Sequence, residues 1–68
     1  MPSANAAGCI LGFDYGSKRI GVARADMQSR QALPLTTLDA TQNLWGQMSH
    51  IVRQHEPRLV VVGWPRGL

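Results

Sequence analysis

Large apolar residues recur at every second position from Cys9: Cys9, Leu11, Phe13 and Tyr15 form one row, and Ile10, Gly12, Asp14 and Gly16 form the other. A period of two with one filled row predicts a β-strand packed on one face. Gly16-Ser17-Lys18-Arg19 breaks the pattern with turn formers and charge, and Ile20-Gly21-Val22-Ala23-Arg24-Ala25 resumes it, so the two runs predict a hairpin. Positions 26–31 are polar and read as a loop. Ala32-Leu33-Pro34-Leu35-Thr36-Thr37-Leu38 then reads as extended. Pro34 has no N–H for a ladder, which places this third strand on an edge.

The period changes after Leu38. Asp39 and Gln42 have the spacing of a capping box, and Leu44, Trp45, Met48, Ile51 and Val52 fall on one helical stripe. An amphipathic helix over 41–55 follows, with Trp45 and Met48 in the core. Pro57 stops it, because its ring disfavours helical geometry at Glu56. Leu59-Val60-Val61-Val62 is apolar without alternation, as in a strand buried on both faces of a parallel sheet, and Gly63-Trp64-Pro65 ends it. Positions 1–8 show no period and read as a disordered leader before one domain over 9–68. The element order is β-β-β-α-β, an α/β arrangement with a mixed sheet. Nothing in the sequence pairs the far edge of the last strand, so the expectation is a truncated domain whose exposed sheet edge can recruit a second copy into a homo-oligomer.

Length and composition narrow the picture. With 68 residues, 44% hydrophobic and 16% charged, the chain is globular and too short for a two-domain enzyme. No apolar run is long enough to cross a bilayer, and the start lacks a basic segment leading into an apolar one, which excludes a membrane protein of the helical kind. The single cysteine, Cys9, can form no internal disulfide and has no zinc-site companions, which fits a reducing, cytoplasmic setting. The net charge of +3 suits a polyanionic partner and equally a merely soluble basic surface.

Asp14 carries the most chemical information. It shares a strand face with Gly12 and is followed by Gly16, residues that clear volume for a phosphate or a hydrated metal, while Ser17, Lys18 and Arg19 bring a hydroxyl and two cations to the rim. The same local spacing fits a strand-end aspartate that takes turn amides or pairs with Lys18.

Leu11-Gly12-Phe13-Asp14-Tyr15-Gly16-Ser17-Lys18-Arg19-Ile20-Gly21-Val22-Ala23 resembles the opening of the YqgF family, the pre-16S ribosomal RNA processing nucleases also called Holliday-junction-resolvase-like proteins. Two further segments keep the family's order: 32–38 resembles its third strand, and Leu59-Val60-Val61-Val62-Gly63-Trp64-Pro65 resembles its strand ending in Gly-Leu-Pro. The resemblance implies a ribonuclease-H-like fold whose acidic residues hold a divalent metal, Mg²⁺ or Mn²⁺, for cleavage of structured nucleic acid such as precursor ribosomal RNA. It makes Asp14 the first acidic metal ligand and catalytic residue. Gly16, Ser17, Lys18 and Arg19 become the phosphate-binding turn, and Gly12, Gly63 and Pro65 structural positions beside it. Ser17 stands where the family commonly has Thr, and Trp64 where it commonly has Leu. The family's other catalytic carboxylates lie in its later half, so this chain is expected to be incomplete as a catalyst.

The remaining candidates read more plainly. Asp26 follows a strand, Asp39 reads as a helix cap and Glu56 sits at a helix end, so none is well placed as a second ligand. His50 and His55, five apart, do not share a helix face and suit the helix C-terminus better than a metal. Cys9 reads as a small buried residue, and Arg24, Arg30, Arg53, Arg58 and Arg66 as scattered charges, most of them solvated. Two rival functions stay open. Actin-like ATPases and sugar kinases also use Asp-x-Gly-Ser/Thr on a first hairpin, though their second phosphate loop and adenosine motif are missing here. A non-catalytic nucleic-acid-binding or self-associating piece is the other.

Overall fold

Strand β1, Cys9–Tyr15, pairs antiparallel with β2, Arg19–Asp26, and β2 pairs antiparallel with β3, Gln31–Asp39. Helix α1, Leu44–His55, then returns the chain to β4, Leu59–Gly63, which lies parallel to β1. The sheet order is β3-β2-β1-β4, a small mixed α/β arrangement in a computed structural model that describes residues 8–64. Of the expected leader over 1–8, residues 1–7 lie outside the described residues, as do Pro65 and Arg66, but Gly8 is ordered: it is buried, and its carbonyl accepts from the Met27 N–H at 3.3 Å.

The period of two decides which side is core. Leu11, Phe13, Ile20, Val22 and Leu38 are buried on one face of the sheet, where Ile51 of α1 covers them. Phe13 is opposite Val22, and Ile20 is opposite Leu38, so the core is built from cross-strand pairs. Burial of each such side chain stabilises by about 1.5–3 kcal/mol. Cys9 is buried beside them, and its Sγ–H donates to the His55 carbonyl at 3.7 Å.

Pro34 sits on an edge strand, as its missing donor requires. The ladder absorbs it through an irregularity: Val22 pairs with Thr36 and Ala23 with Pro34, so the register shifts by one residue beside the proline.

Three expectations are corrected here. The helix starts at Leu44 rather than Thr41, and no capping box forms from Asp39 and Gln42. Asp39 is instead the last residue of β3, paired with Arg19, so sheet pairing claims it before the helix can. Its carboxylate closes a turn, accepting from the Thr41 N–H at 2.8 Å and the Thr41 hydroxyl at 2.6 Å. Asn43 precedes the helix in a left-handed conformation and makes no side-chain cap. Trp45 is the second correction. It is 79% exposed, because α1 meets the sheet through Leu44, Met48, Ile51 and Val52, and Trp45 lies on the flank of that stripe. Third, β4 is not buried: Leu59, Val60, Val61 and Val62 are exposed, and among the described elements none pairs its outer edge, the open edge that the sequence led one to expect. The apolar run requires cover on both faces but does not supply it. Arg24 is the one of the scattered arginines with a described side-chain hydrogen bond. Its guanidinium donates to Nδ1 of His55 at 2.7 Å.

The Asp39 turn carries a pH dependence. The Thr41 hydroxyl above all, then the Thr41 N–H and the nearby Arg19 charge, hold the Asp39 carboxyl below its ordinary value of 3.8. A folded pKa below the unfolded one contributes stability that is present above the unfolded value and lost as pH falls through the folded one. Asp39→Ala is therefore expected to be slightly less stable than the parent near neutrality, with the difference in urea midpoint closing as pH falls below 3.8. A difference that stays constant into strong acid contradicts this assignment.

Candidate functional site

The sheet's second face has no helix over it among the described elements. Alternation places Gly12 and Asp14 of β1, Gly21 and Ala23 of β2, and Val61 and Gly63 of β4 on this side, where they line one shallow trough. Small residues keep its floor low. Asp14 stands at the end of that floor, exposed, and is in register with Gly21 on one side and Gly63 on the other.

The flanking glycines leave the carboxylate open. A Cβ on Gly63 would lie 3.6 Å from Oδ1 of Asp14, and one on Gly21 would lie 3.9 Å from its Cβ, so a longer side chain at either position would lean over the acid. Gly12 is different. A Cβ there would meet nothing within 4 Å, so the fold itself has no steric need for glycine at that position. Asp26 and Asp39 engage their carboxylates with turn groups, accepting from Gln28 and Thr41 respectively. No hydrogen bond or ion pair among the described residues involves the Asp14 carboxylate, so the strand-end reading, in which it takes turn amides or pairs with Lys18, is not what the structure shows.

Gly16 has a structural reason of its own. Its N–H donates to the Arg19 carbonyl at 3.0 Å, and a Cβ would lie 2.7 Å from that same oxygen, so the hairpin turn closes only over glycine. Ser17, Lys18 and Arg19 are exposed on this turn. The Ala40 N–H donates to the Lys18 carbonyl at 2.8 Å, which ties the turn to the segment after β3. Lys18 and Arg19 line a second cleft with Thr37, Asp39 and Thr41.

The structure thus brings Gly12, Asp14, Arg19 and Gly63 to one face of the sheet, with Ser17 and Lys18 at the rim. Pro65 lies outside the described residues. Two participants escape a reading along the sequence. Gly21 and Thr37 stand in register with each other, and Gly21 with Asp14, so one row across the sheet runs Thr37, Gly21, Asp14, Gly63. Thr37 lines both the trough and the cationic cleft and joins them. A glycine in mid-strand was the available signal for Gly21; Thr37 had none, because its position depends on pairing between distant segments.

Asp14 fits one ligand position of a divalent cation: an accessible carboxylate with cleared flanks. Among the described residues no three His, Cys, Asp or Glu side chains stand close enough together to hold a metal ion. No helix among the described residues is long and apolar enough to cross a membrane.

Comparison with known proteins gives the family. Residues 8–68 match the family model described as RuvX, Holliday junction resolvase. A protein of Methylobacillus flagellatus named "Putative pre-16S rRNA nuclease" is 41% identical over 69 residues, covering 98% of this chain and 47% of its own length. Proteins of the same name from Nitrosococcus oceani and Pseudomonas fluorescens are 41% and 45% identical, covering 98% and 87% of this chain and 45% and 42% of their own lengths. The chain spans about half the length of the curated relatives it matches. On the strength of a match that runs from the start of β1 past the end of β4, the chain belongs to the RuvX family of Holliday junction resolvases, the YqgF proteins.

Proposed function

We propose that this chain is the amino-terminal part of a metal-dependent nuclease of the YqgF type, ribonuclease-H-like in fold, that processes precursor 16S ribosomal RNA in the cytoplasm. The observation that carries the reading is the Asp14 carboxylate, free of protein partners among the described residues and flanked in register by Gly21 and Gly63. A structural aspartate is expected to engage a neighbour, as Asp26 and Asp39 do. Asp14 is proposed as the first ligand of a divalent cation, Mg²⁺ or Mn²⁺, which supplies water activation and stabilises the leaving oxygen. Lys18 and Arg19 meet the phosphates of the nucleic-acid backbone, and the cleared floor at Gly12 admits it.

The chain holds four acidic residues, of which Asp26, Asp39 and Glu56 stand elsewhere, so we infer that it lacks a full ligand set by itself. The test is a chimera in which these 68 residues replace the matching part of the Methylobacillus flagellatus relative. With Mg²⁺ or Mn²⁺ it is expected to cut an end-labelled ribosomal RNA precursor in preference to a four-way DNA junction, and chelation is expected to stop it. The 68 residues alone are expected to cut neither. Cleavage by the chimera that continues in chelator sinks the metal reading, and a preference for the junction sinks the RNA reading.

A second reading is favoured by β4, whose apolar residues and outer edge lie open. There the chain completes its sheet with a second copy and forms a homo-oligomer. Sedimentation showing a folded monomer at high concentration excludes it.

A further inference from the structure

The residues that follow the Asp14–Gly63 register pair are Tyr15 and Trp64, and their rings meet with centroids 5.1 Å apart at a tilt of 36°. Consecutive residues of a strand point to opposite faces, so this pair stands on the helix side of the same strand ends whose other face carries the acid. Tyr15 is a fixed support. It is half-buried, packs against the core, and donates its hydroxyl to Sδ of Met48 at 3.6 Å. Trp64 leans on it and still keeps 70% of its surface in solvent.

A held but exposed indole is a surface on which another flat ring can stack with little further loss of side-chain freedom. The chain leaves Tyr15 directly into the Gly16-Ser17-Lys18-Arg19 turn, which carries two exposed cations at the same end of β1. Aromatic faces combined with cations are how proteins hold unpaired nucleotides, because every base has a face to stack and every phosphate a charge to neutralise. Inside a duplex those faces are already occupied by neighbouring bases, and only an unpaired or splayed base can offer one.

We propose that Trp64, backed by Tyr15, is a stacking platform for an unpaired base of the nucleic-acid substrate, adjacent to the nucleotide whose phosphate lies at Asp14. This deepens the nuclease reading and rests on its nucleic-acid substrate. It makes the site selective for the junction between paired and single-stranded RNA over continuous duplex.

The test uses the whole 68-residue chain in chelator, so that binding is read without cleavage. Two labelled RNAs of equal length are compared by fluorescence anisotropy, a hairpin with a single-stranded flank and a blunt duplex. The flanked RNA is expected to bind more tightly. Trp64→Leu is expected to weaken it roughly 5- to 150-fold, the range for one base–aromatic stack, and to leave duplex binding unchanged. Trp64→Phe restores most of the loss. The chain has two tryptophans, so in a Trp45→Phe background the emission of Trp64 alone is expected to quench with the flanked RNA. Circular dichroism confirms that each variant folds. If Trp64→Leu weakens both RNAs equally or neither, the platform is wrong while the nucleic-acid reading stands. If the folded parent binds neither RNA, both fail. Quenching that rises with protein concentration in the absence of RNA shows a second copy on the ring, and overturns the platform.

Discussion

Phe13→Ala is expected to abolish cooperative unfolding of this chain, or to lower its urea midpoint so far that the native state is a minority at room temperature. Phe13 is 1% exposed, faces Val22 across β1–β2, and is in register with Val62 of β4. It lies where the sheet and α1 meet, and only seven hydrophobic side chains are buried in the described structure. Truncating a buried phenylalanine costs about 3–5 kcal/mol. A single core in a domain of this size seldom supplies more than about 3–5 kcal/mol in total. The loss therefore matches the whole margin. Val61→Ala is the internal control, because Val61 faces the open trough and is half exposed, so its truncation is expected to change stability by less than about 0.5 kcal/mol. Denaturation followed by far-ultraviolet circular dichroism distinguishes the two. A Phe13→Ala chain with the parent's midpoint would mean that the core lies elsewhere than beneath α1.

That contrast also marks what the sequence made legible. Alternation along β1 and β2 is local, and it identified the buried row from Cys9 to Tyr15, the hairpin, and the face on which Asp14 stands. Pro34 announced an edge for β3 through its missing donor. The family resemblance, carried by the residues around Asp14, pointed to the same family as the comparisons. What remained hidden depends on contacts between segments far apart in the chain. Asp39 has the spacing of a helix cap, but its pairing with Arg19 extends β3 and delays the helix to Leu44. Four apolar residues in β4 state that both faces want cover, not what covers them, and here they are exposed. Trp45 fits the helical stripe by spacing, yet the stripe that packs is narrower than the stripe that is apolar. The row of Thr37, Gly21, Asp14 and Gly63 draws one residue from each of four strands, and only the register assembles it.

Because that row is on the open face, site and scaffold are expected to separate cleanly under mutation. Asp14→Asn keeps the shape of the side chain and removes a charge that makes no hydrogen bond or ion pair among the described residues, so stability is expected to stay within about 0.5 kcal/mol of the parent. Its effect on cation binding is the reverse. In the parent, Mn²⁺ is expected to broaden the amide resonances of Asp14, Gly21 and Gly63 selectively, since these three residues are in register around one carboxylate. In Asp14→Asn that selective broadening is expected to disappear, and in the chimera cleavage is expected to fall by more than about 100-fold, beyond the scale of losing an outer-shell partner. Gly63→Val tests access rather than charge. Its Cβ would lie at an ordinary contact distance of 3.6 Å from Oδ1, and the β-branched side chain suits an extended strand, so the fold is expected to be retained. Its methyl groups would lean over the acid, and broadening and cleavage are expected to drop by about 10- to 100-fold with Asp14 still in place. If Gly63→Val leaves both unchanged, the cation approaches Asp14 from outside the glycine floor. If Asp14→Asn leaves the broadening intact, Asp14 is not the ligand, and the nuclease reading of this face loses its central residue.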